Sequence, residues 1–120
     1  MKQTKVSAFS KVYIFDSAID SERGGFGKGI AELLRGVADT GSLNKAAKTL
    51  SMSYTKAWKR MNAVEEELGF TLITRDGAHG SALTPEGAEL LRVYDSVTKR
   101  VSEYTKQVIQ EEVAASSLSI

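Results

Sequence analysis

The stretch TGSLNKAAKTLSMSYTKAWKRM, at positions 40–61, limits the possible folds more than any other part of the chain. Ser42 is the predicted N-cap of a short helix over residues 43–50. Ser51-Met52 is a tight break, and Ser53 caps a second helix. Two short helices joined by a tight turn form a helix-turn-helix, and small residues let the pair cross closely. The predicted buried side of the first helix fits this crossing: Leu43, Ala46, Ala47 and Leu50.

The same 22 residues hold five Lys or Arg and no Asp or Glu, although the 120-residue chain has a net charge of only +1. DNA carries about one negative charge per ~1.7 Å of helix axis, so a carboxylate facing it would be repelled. In a helix-turn-helix the second helix lies in the major groove, with its N-terminal residues at base edges. The pattern favours a DNA-binding face over a merely solvated one. Its predicted contacts are Lys45, Lys48, Lys56, Lys59 and Arg60.

Three aromatic or imidazole side chains near this face have two interpretations each. Trp58 shares a helix side with Ala57 and Met61, which favours the core over base stacking. Tyr54 lies near the helix start, where it reaches a phosphate or a base edge, or else is partly buried. His79, at the tip of a predicted hairpin, is a turn residue or a contact to phosphate or the minor groove.

Elements on both sides of the pair complete a winged fold. A strand is predicted over residues 11–15 (KVYIF), and a helix over about 30–39 supplies the core. TLITR (71–75) and ALT (82–84) form a hairpin, the wing. Thr84-Pro85-Glu86 then starts a last helix that runs to about residue 113.

Apolar residues on that last helix recur at spacings of 4, 3, 4, 3 and 4, a narrower stripe than a globular core face. The rest of this small chain has little left to cover the stripe, so antiparallel pairing in a homodimer is predicted. The alternative is a helix folded back on its own first strand and helix. The predicted dimer interface is Leu90, Tyr94, Val97, Val101, Tyr104 and Val108.

The expected fold class is therefore mainly α with a small β component: a winged helix-turn-helix with a long C-terminal dimerisation helix. The predicted division of the chain is a DNA-binding domain over residues 1–84, followed by the dimerisation helix and a frayed tail over 85–120.

Composition argues against several other classes. With no Cys and a single His, disulfides, thiolate nucleophiles and multi-His metal sites are excluded, and no cofactor is expected. No apolar run of 18 residues or signal core exists, so we expect a soluble cytoplasmic protein with no membrane contact. GGFGKGI invites a nucleotide-binding interpretation, but Ile30 replaces the third Gly of a dinucleotide fingerprint. Glu22 and Gly29 break the phosphate-loop pattern, so no enzyme is expected.

The segment TGSLNKAAKTLSMSYTKAWKRMNAVEEELGFTLITR, with ALTPEGAELLRVY after it, resembles the N-terminal DNA-binding domain of ModE, the molybdate-responsive regulators. The LysR-type regulators are a nearby larger family. The shared features are GS before the first helix of the pair, AA within it, SY and KAW opening the second, and LTPEG starting the linker helix. KVYIFD and FGKGIAELLRGV also fit, so the resemblance covers about residues 11–105.

The resemblance implies a sequence-specific transcriptional regulator that dimerises through its long helix and binds a palindromic operator in double-stranded DNA. By position it implies a wing contact at Arg75 and His79, and a recognition-helix surface of Ser53, Tyr54, Thr55, Lys56 and Lys59. Ser42 completes the predicted DNA-binding set. The wing is shorter than that of many ModE proteins. Because no molybdate-binding module or effector domain follows the last helix, molybdate binding is not expected. The alternative function is a winged-helix protein-interaction module or a partner subunit of another regulator.

Overall fold

The structure, a computed structural model, describes residues 5–18, 25–76 and 80–120. Within these ranges the chain forms four helices and one two-stranded antiparallel sheet. In order they are α1 (Lys28–Thr40), α2 (Leu43–Thr49), α3 (Tyr54–Leu68), β1 (Ile73–Asp76), β2 (Gly80–Leu83) and α4 (Pro85–Ala114). This is the predicted winged helix-turn-helix, mainly α with a small β component, and it ends in a long helix.

Helix α1 forms the centre of the core. Its apolar residues recur on one face and are buried against α2 and α3: Ile30, Ala31, Leu33, Leu34 and Val37. The helix ends at Thr40 because Gly41 takes a left-handed conformation (φ 73°) and donates its N–H to the carbonyl of Val37. At its other end, α1 begins at Lys28, two residues before the predicted start at about residue 30.

The hairpin pairs Ile73 with Leu83 and Arg75 with Ser81. The N–H of Ser81 also donates to the carbonyl of Gly41 (2.8 Å), which ties the wing to the turn between α1 and α2. Strand β1 starts two residues later than predicted. The reason is Thr84, whose hydroxyl donates to the carbonyl of Thr71 (2.8 Å) and whose N–H donates to the carbonyl of Leu72 (3.0 Å). These two bonds hold residues 71 and 72 against the start of α4.

The predicted strand over residues 11–15 was wrong as a strand. It is reduced to one antiparallel bridge, in which Ile14 and Phe26 exchange two hydrogen bonds of 2.8 Å. Beyond Phe26 the ladder does not continue, because α1 begins two residues later and the backbone there turns helical. A side chain at Gly27 would lie 2.7 Å from the ring of Tyr13. This glycine therefore serves the packing of the N-terminal segment.

Helix α4 has 30 residues, which corresponds to about 45 Å. Thr84 caps it by accepting the N–H of Gly87 (2.9 Å), and Pro85 occupies the first turn, both as predicted. The Cα radius of gyration is 17.9 Å, against about 14 Å for a compact chain of this length. The difference reflects α4, which lengthens the molecule to 61 Å. Among the described helices none has the length and apolar character needed to cross a membrane.

Candidate nucleic-acid interface

Capping and small residues hold the pair α2–α3 together. The Ser42 hydroxyl accepts a hydrogen bond from the N–H of Lys45, and the Ser53 hydroxyl accepts one from the N–H of Lys56, both at 3.1 Å. Both predicted N-caps are thus confirmed. Between the helices Ser51 adopts φ 54°, which turns the chain sharply. Three alanines are buried in the core around the pair, Ala46, Ala47 and Ala57.

The basic side chains of this region are solvent-exposed. Lys56, Lys59 and Arg60 are three and four residues apart on α3, so they share one side of the helix. Lys45 and Lys48 are exposed on α2. Within the described parts of the chain, none of these five cations lies within 4.0 Å of a carboxylate. These five exposed cations of the helix pair, which we call the basic face, therefore carry positive charge without an ion-pair partner among the described residues.

The N-terminal turn of α3 presents polar groups to solvent. Tyr54 is 47% exposed, and Thr55 and Lys56 beside it are exposed as well. The first turn contains no acidic residue, so the positive end of the helix dipole adds to the charge of the basic face. The Tyr54 ring meets Trp58 edge-on, with ring centroids 6.3 Å apart. The start of α3 is thus both accessible and held by an aromatic contact.

Trp58 belongs to the core on one side only. It is half-buried and packs against the buried cluster, which agrees with the predicted core position. The guanidinium carbon of Arg75 lies 3.4 Å from the centre of a Trp58 ring, a cation–π stack. The indole is therefore covered by a side chain from the wing, and base stacking by Trp58 has no support in this arrangement.

Arg75 was predicted to contact DNA from the wing, but the structure engages its guanidinium inside the chain. Its Nη2 donates to the side-chain oxygen of Asn62 (2.8 Å) and to a carboxylate oxygen of Glu65 (3.0 Å), both on α3. The side chain is 29% exposed, and that of Glu65 only 8%. Because the guanidinium bonds to α3 and stacks on Trp58, Arg75 links the wing to α3.

The family comparison agrees with this geometry. A family model described as "Bacterial regulatory helix-turn-helix protein, lysR family" matches residues 31–88, which contain α2, α3, the hairpin and most of α1. Residues 31–88, just under half of the chain, are thus similar in sequence to this LysR-type helix-turn-helix domain. The match ends within the first turn of α4, so the rest of the long helix lies outside it.

Two proteins named ModE are similar in sequence to part of this chain. The molybdenum transport protein ModE of Herbaspirillum seropedicae is 38% identical over 76 residues, 60% of this chain and 28% of that protein. The transcriptional regulator ModE of Haemophilus influenzae is 32% identical over 84 residues, 67% of this chain and 32% of that protein. The chain therefore spans about a third of the length of these curated relatives.

Solved structures give the same fold. The DNA-binding domain of CbnR, crystallised with DNA, superposes with a TM-score of 0.55 at 25% identity and covers 72% of this chain and 95% of that one. The DNA-binding domain of BenM in complex with its catB site 1 DNA has a TM-score of 0.56 at 22% identity, over 73% and 94% of the two chains. The second likeness establishes the fold alone.

Helix α4 carries the predicted dimer seam, and the structure buries one part of that seam and exposes another. Tyr94 is 6% exposed within one chain because its ring packs edge-on against Phe26 (centroids 5.3 Å), so it belongs to the core and not to an open interface. Leu90 and Val108 are half-buried. The exposed part of the seam is Val97 (38%), Val101 (36%) and Tyr104 (66%).

The sequence interpretation missed Glu65 and Asn62. No role was assigned to Glu65 from the sequence, yet its carboxylate accepts the N–H groups of Leu72 (2.6 Å) and Ile73 (3.3 Å). Helical spacing contained the clue, since Glu65 is four residues after Met61 and one after Val64, on the buried side of α3. His79 lies outside the described residues.

Proposed function

We propose that this chain is a DNA-binding regulator of transcription, in which α3 enters the major groove of double-stranded DNA. The observation that carries the proposal is the basic face: five exposed cations on a helix-turn-helix, with no carboxylate of the described chain beside them. Such a face is suited to phosphates, and the accessible start of α3 is suited to base edges.

The polar residues of the helix pair divide into two proposed roles. Tyr54, Thr55 and Lys56, at the start of α3, read bases. Contacts to the DNA phosphates, which position the protein on the duplex, are assigned to the two N-cap serines, Ser42 and Ser53. The same role is assigned to the remaining four cations of the pair: Lys45, Lys48, Lys59 and Arg60. Arg75 is left out of this set because its guanidinium is engaged by α3.

Relatives support the same role. The CbnR structure is a complex of a DNA-binding domain with DNA, and the Haemophilus influenzae relative is named a transcriptional regulator. We further propose that this regulator is not an enzyme and that it acts in the cytoplasm. We also propose a DNA-binding part over residues 1–84 and a dimerisation part over residues 85–120, because the similarity to the helix-turn-helix family ends at residue 88, in the first turn of α4.

The dimer is part of the proposal. Val97, Val101 and Tyr104 form an exposed apolar stripe on α4, where this helix extends beyond the core. Antiparallel pairing of two such helices covers both stripes and sets two copies of α3 on one side of the dimer. We expect the two copies of α3 to lie about 34 Å apart, one turn of DNA, and thus to match a palindromic operator.

Fluorescence anisotropy with labelled random-sequence duplex, titrated over a range of salt concentrations, tests the function. We expect affinity to fall with salt on a log–log slope of about −0.9 for each phosphate neutralised. Absence of binding at low salt would refute DNA binding and favour a winged-helix protein-interaction module. The matched control is a variant with Lys45 and Lys48 both replaced by Gln, which should have a shallower slope.

A further inference from the structure

The wing and the recognition helix α3 are joined by a compact cluster of four side chains. Glu65, from the fourth turn of α3, accepts the backbone N–H groups of Leu72 and Ile73 at the start of the wing. Its other carboxylate oxygen accepts Arg75 from strand β1. Asn62 accepts the same Arg75 nitrogen, and the guanidinium stacks on Trp58. We call these four residues, Trp58, Asn62, Glu65 and Arg75, the wing clamp.

The wing clamp extends to the DNA-facing end of α3 through one more contact. Tyr54 stands one turn before Trp58 and meets the indole edge-on at an interplanar angle of 81°. The indole thus contacts both the guanidinium of Arg75 and the ring of Tyr54. A rotation of the indole would change the position of the tyrosine hydroxyl, which the proposed function places at the bases.

Electrostatics keeps Arg75 in this position. Glu65 is 8% exposed, and a buried carboxylate without a cation or hydrogen bonds is strongly unfavourable. Within the described residues Arg75 is the single cation within 4.0 Å of it. If Arg75 turned toward a phosphate, Glu65 would lose its counter-charge and Trp58 its stacking partner. The planar guanidinium is also needed, because an ammonium group cannot both stack flat on an indole and bond to a carboxylate.

We propose that Arg75 is a positioning residue. Together with Glu65 it holds Trp58 in place, and through Trp58 it fixes Tyr54 for base recognition. The same contacts lock the wing to α3. This inference rests on the proposed DNA-binding function and assigns to Arg75 a role other than phosphate contact. The two roles predict opposite effects for variants that alter Glu65, whose side chain is buried.

The experiment compares Glu65→Gln and Arg75→Lys with two controls, Glu66→Gln and Arg100→Lys, which make the same chemical changes at exposed positions outside the wing clamp. Each protein is titrated with random duplex and with the duplex most enriched by in vitro selection with the wild-type protein. Salt dependence is measured for both. Circular dichroism confirms folding, and the ring resonances of Tyr54 are recorded by NMR without DNA.

We expect both wing-clamp variants to lose about tenfold in affinity for the selected duplex, with random-duplex affinity and salt slope unchanged. The double variant should lose no more than either single one, because both act through the same cluster. Tyr54 resonances should shift in both variants and stay in place in the controls.

A phosphate contact at Arg75 predicts otherwise. Arg75→Lys would then keep most of its binding, and Glu65→Gln would bind both duplexes as well as the wild type or better, because a negative charge has gone. Either result overturns the proposal. If a variant fails to fold, Asn62→Ala is measured in its place. Asn62 is exposed, and its side-chain oxygen accepts a hydrogen bond from Arg75, so this substitution weakens the wing clamp without changing a buried residue.

The outcome remains decisive if the wild-type protein does not bind DNA. In that case the proposed function fails, whereas the Tyr54 resonances still test the clamp. Unmoved Tyr54 signals in Glu65→Gln and Asn62→Ala would refute the link from Arg75 to Tyr54. Shifted signals in both variants, with the controls unchanged, would uphold the clamp as a device that positions Tyr54.

Discussion

Gly36 of α1 lies directly against Ala46 of α2: a Cβ added at Gly36 would stand 2.6 Å from that of Ala46. This contact sets how closely the first helix of the recognition pair approaches the core. Gly36→Ala should destabilise the fold by roughly 1 kcal/mol, because the overpacking exceeds the helix propensity that Ala adds. Urea denaturation measures the change.

The matched control for that substitution lies in the same helix. A Cβ at Gly29 would meet Arg60 at an ordinary 3.5 Å, so Gly29→Ala should stabilise by up to about 1 kcal/mol. If Gly36→Ala and Gly29→Ala changed the free energy of unfolding equally, α1 and α2 would be able to move apart enough to accept a methyl group at Gly36.

A substitution at Ser51, in the turn between α2 and α3, is expected to stabilise the fold. The Ser51 φ of 54° places a residue with a Cβ in the left-handed region, which costs roughly 1–2 kcal/mol. Ser51→Gly should therefore raise the free energy of unfolding by about 0.5–1 kcal/mol, after allowance for the greater flexibility of glycine when unfolded. Thermal unfolding followed by circular dichroism checks this. A lower midpoint for Ser51→Gly would mean that the serine side chain stabilises the turn.

Arg35 and Asp95 join α1 to α4 through two hydrogen bonds of 2.7 and 3.1 Å. The pKa of Arg35 is raised, chiefly because its guanidinium donates these bonds to Asp95, so the cation persists at every working pH. Both side chains are nearly half exposed, and Asp95→Asn should cost no more than about 1 kcal/mol. The loss should shrink in 1 M salt, as measured by urea denaturation at low and high ionic strength. An effect independent of salt would argue for packing instead of charge.

Two lysines of the basic face should behave differently on DNA. Lys56→Ala, at the start of α3, should cost ~1–3 kcal/mol on the selected duplex and less on random duplex. Lys48→Ala, in the last turn of α2, should weaken both duplexes about equally and flatten the salt slope. Anisotropy titrations measure both, with Lys99→Ala on α4 as control. Identical behaviour of the two variants would remove the distinction between base reader and phosphate contact.

The exposed stripe on α4 predicts the oligomeric state. The wild-type chain should sediment as a dimer at micromolar concentration, and Val101→Asp should shift it to monomer without loss of helix, because a buried charge opposes pairing. Ser96→Asp adds the same charge at an exposed position outside the stripe and should remain dimeric. Analytical ultracentrifugation distinguishes the species. A wild-type monomer would support a helix that needs no partner copy.

Most of the fold was predictable because it depends on local rules. Serine caps, alanines at the crossing, the glycine after α1 and the Thr-Pro start of α4 each act within a few residues, so the order and type of the helices followed from the sequence. The strand at residues 11–15 was wrong for the complementary reason. A β-ladder depends on a partner, and the partner segment becomes α1 after a single bridge.

For the candidate interface, the sequence by itself determined the helix pair and the unbalanced positive charge on it. Only the tertiary structure decided what Arg75, Glu65 and Tyr94 contact. Glu65 and Arg75 are ten residues apart and on different elements, and Tyr94 meets Phe26 from the other end of the chain. Charge and periodicity report which side chains are polar or apolar. The burial of a carboxylate, which forces an arginine toward it, arises only when α3 and the wing pack together.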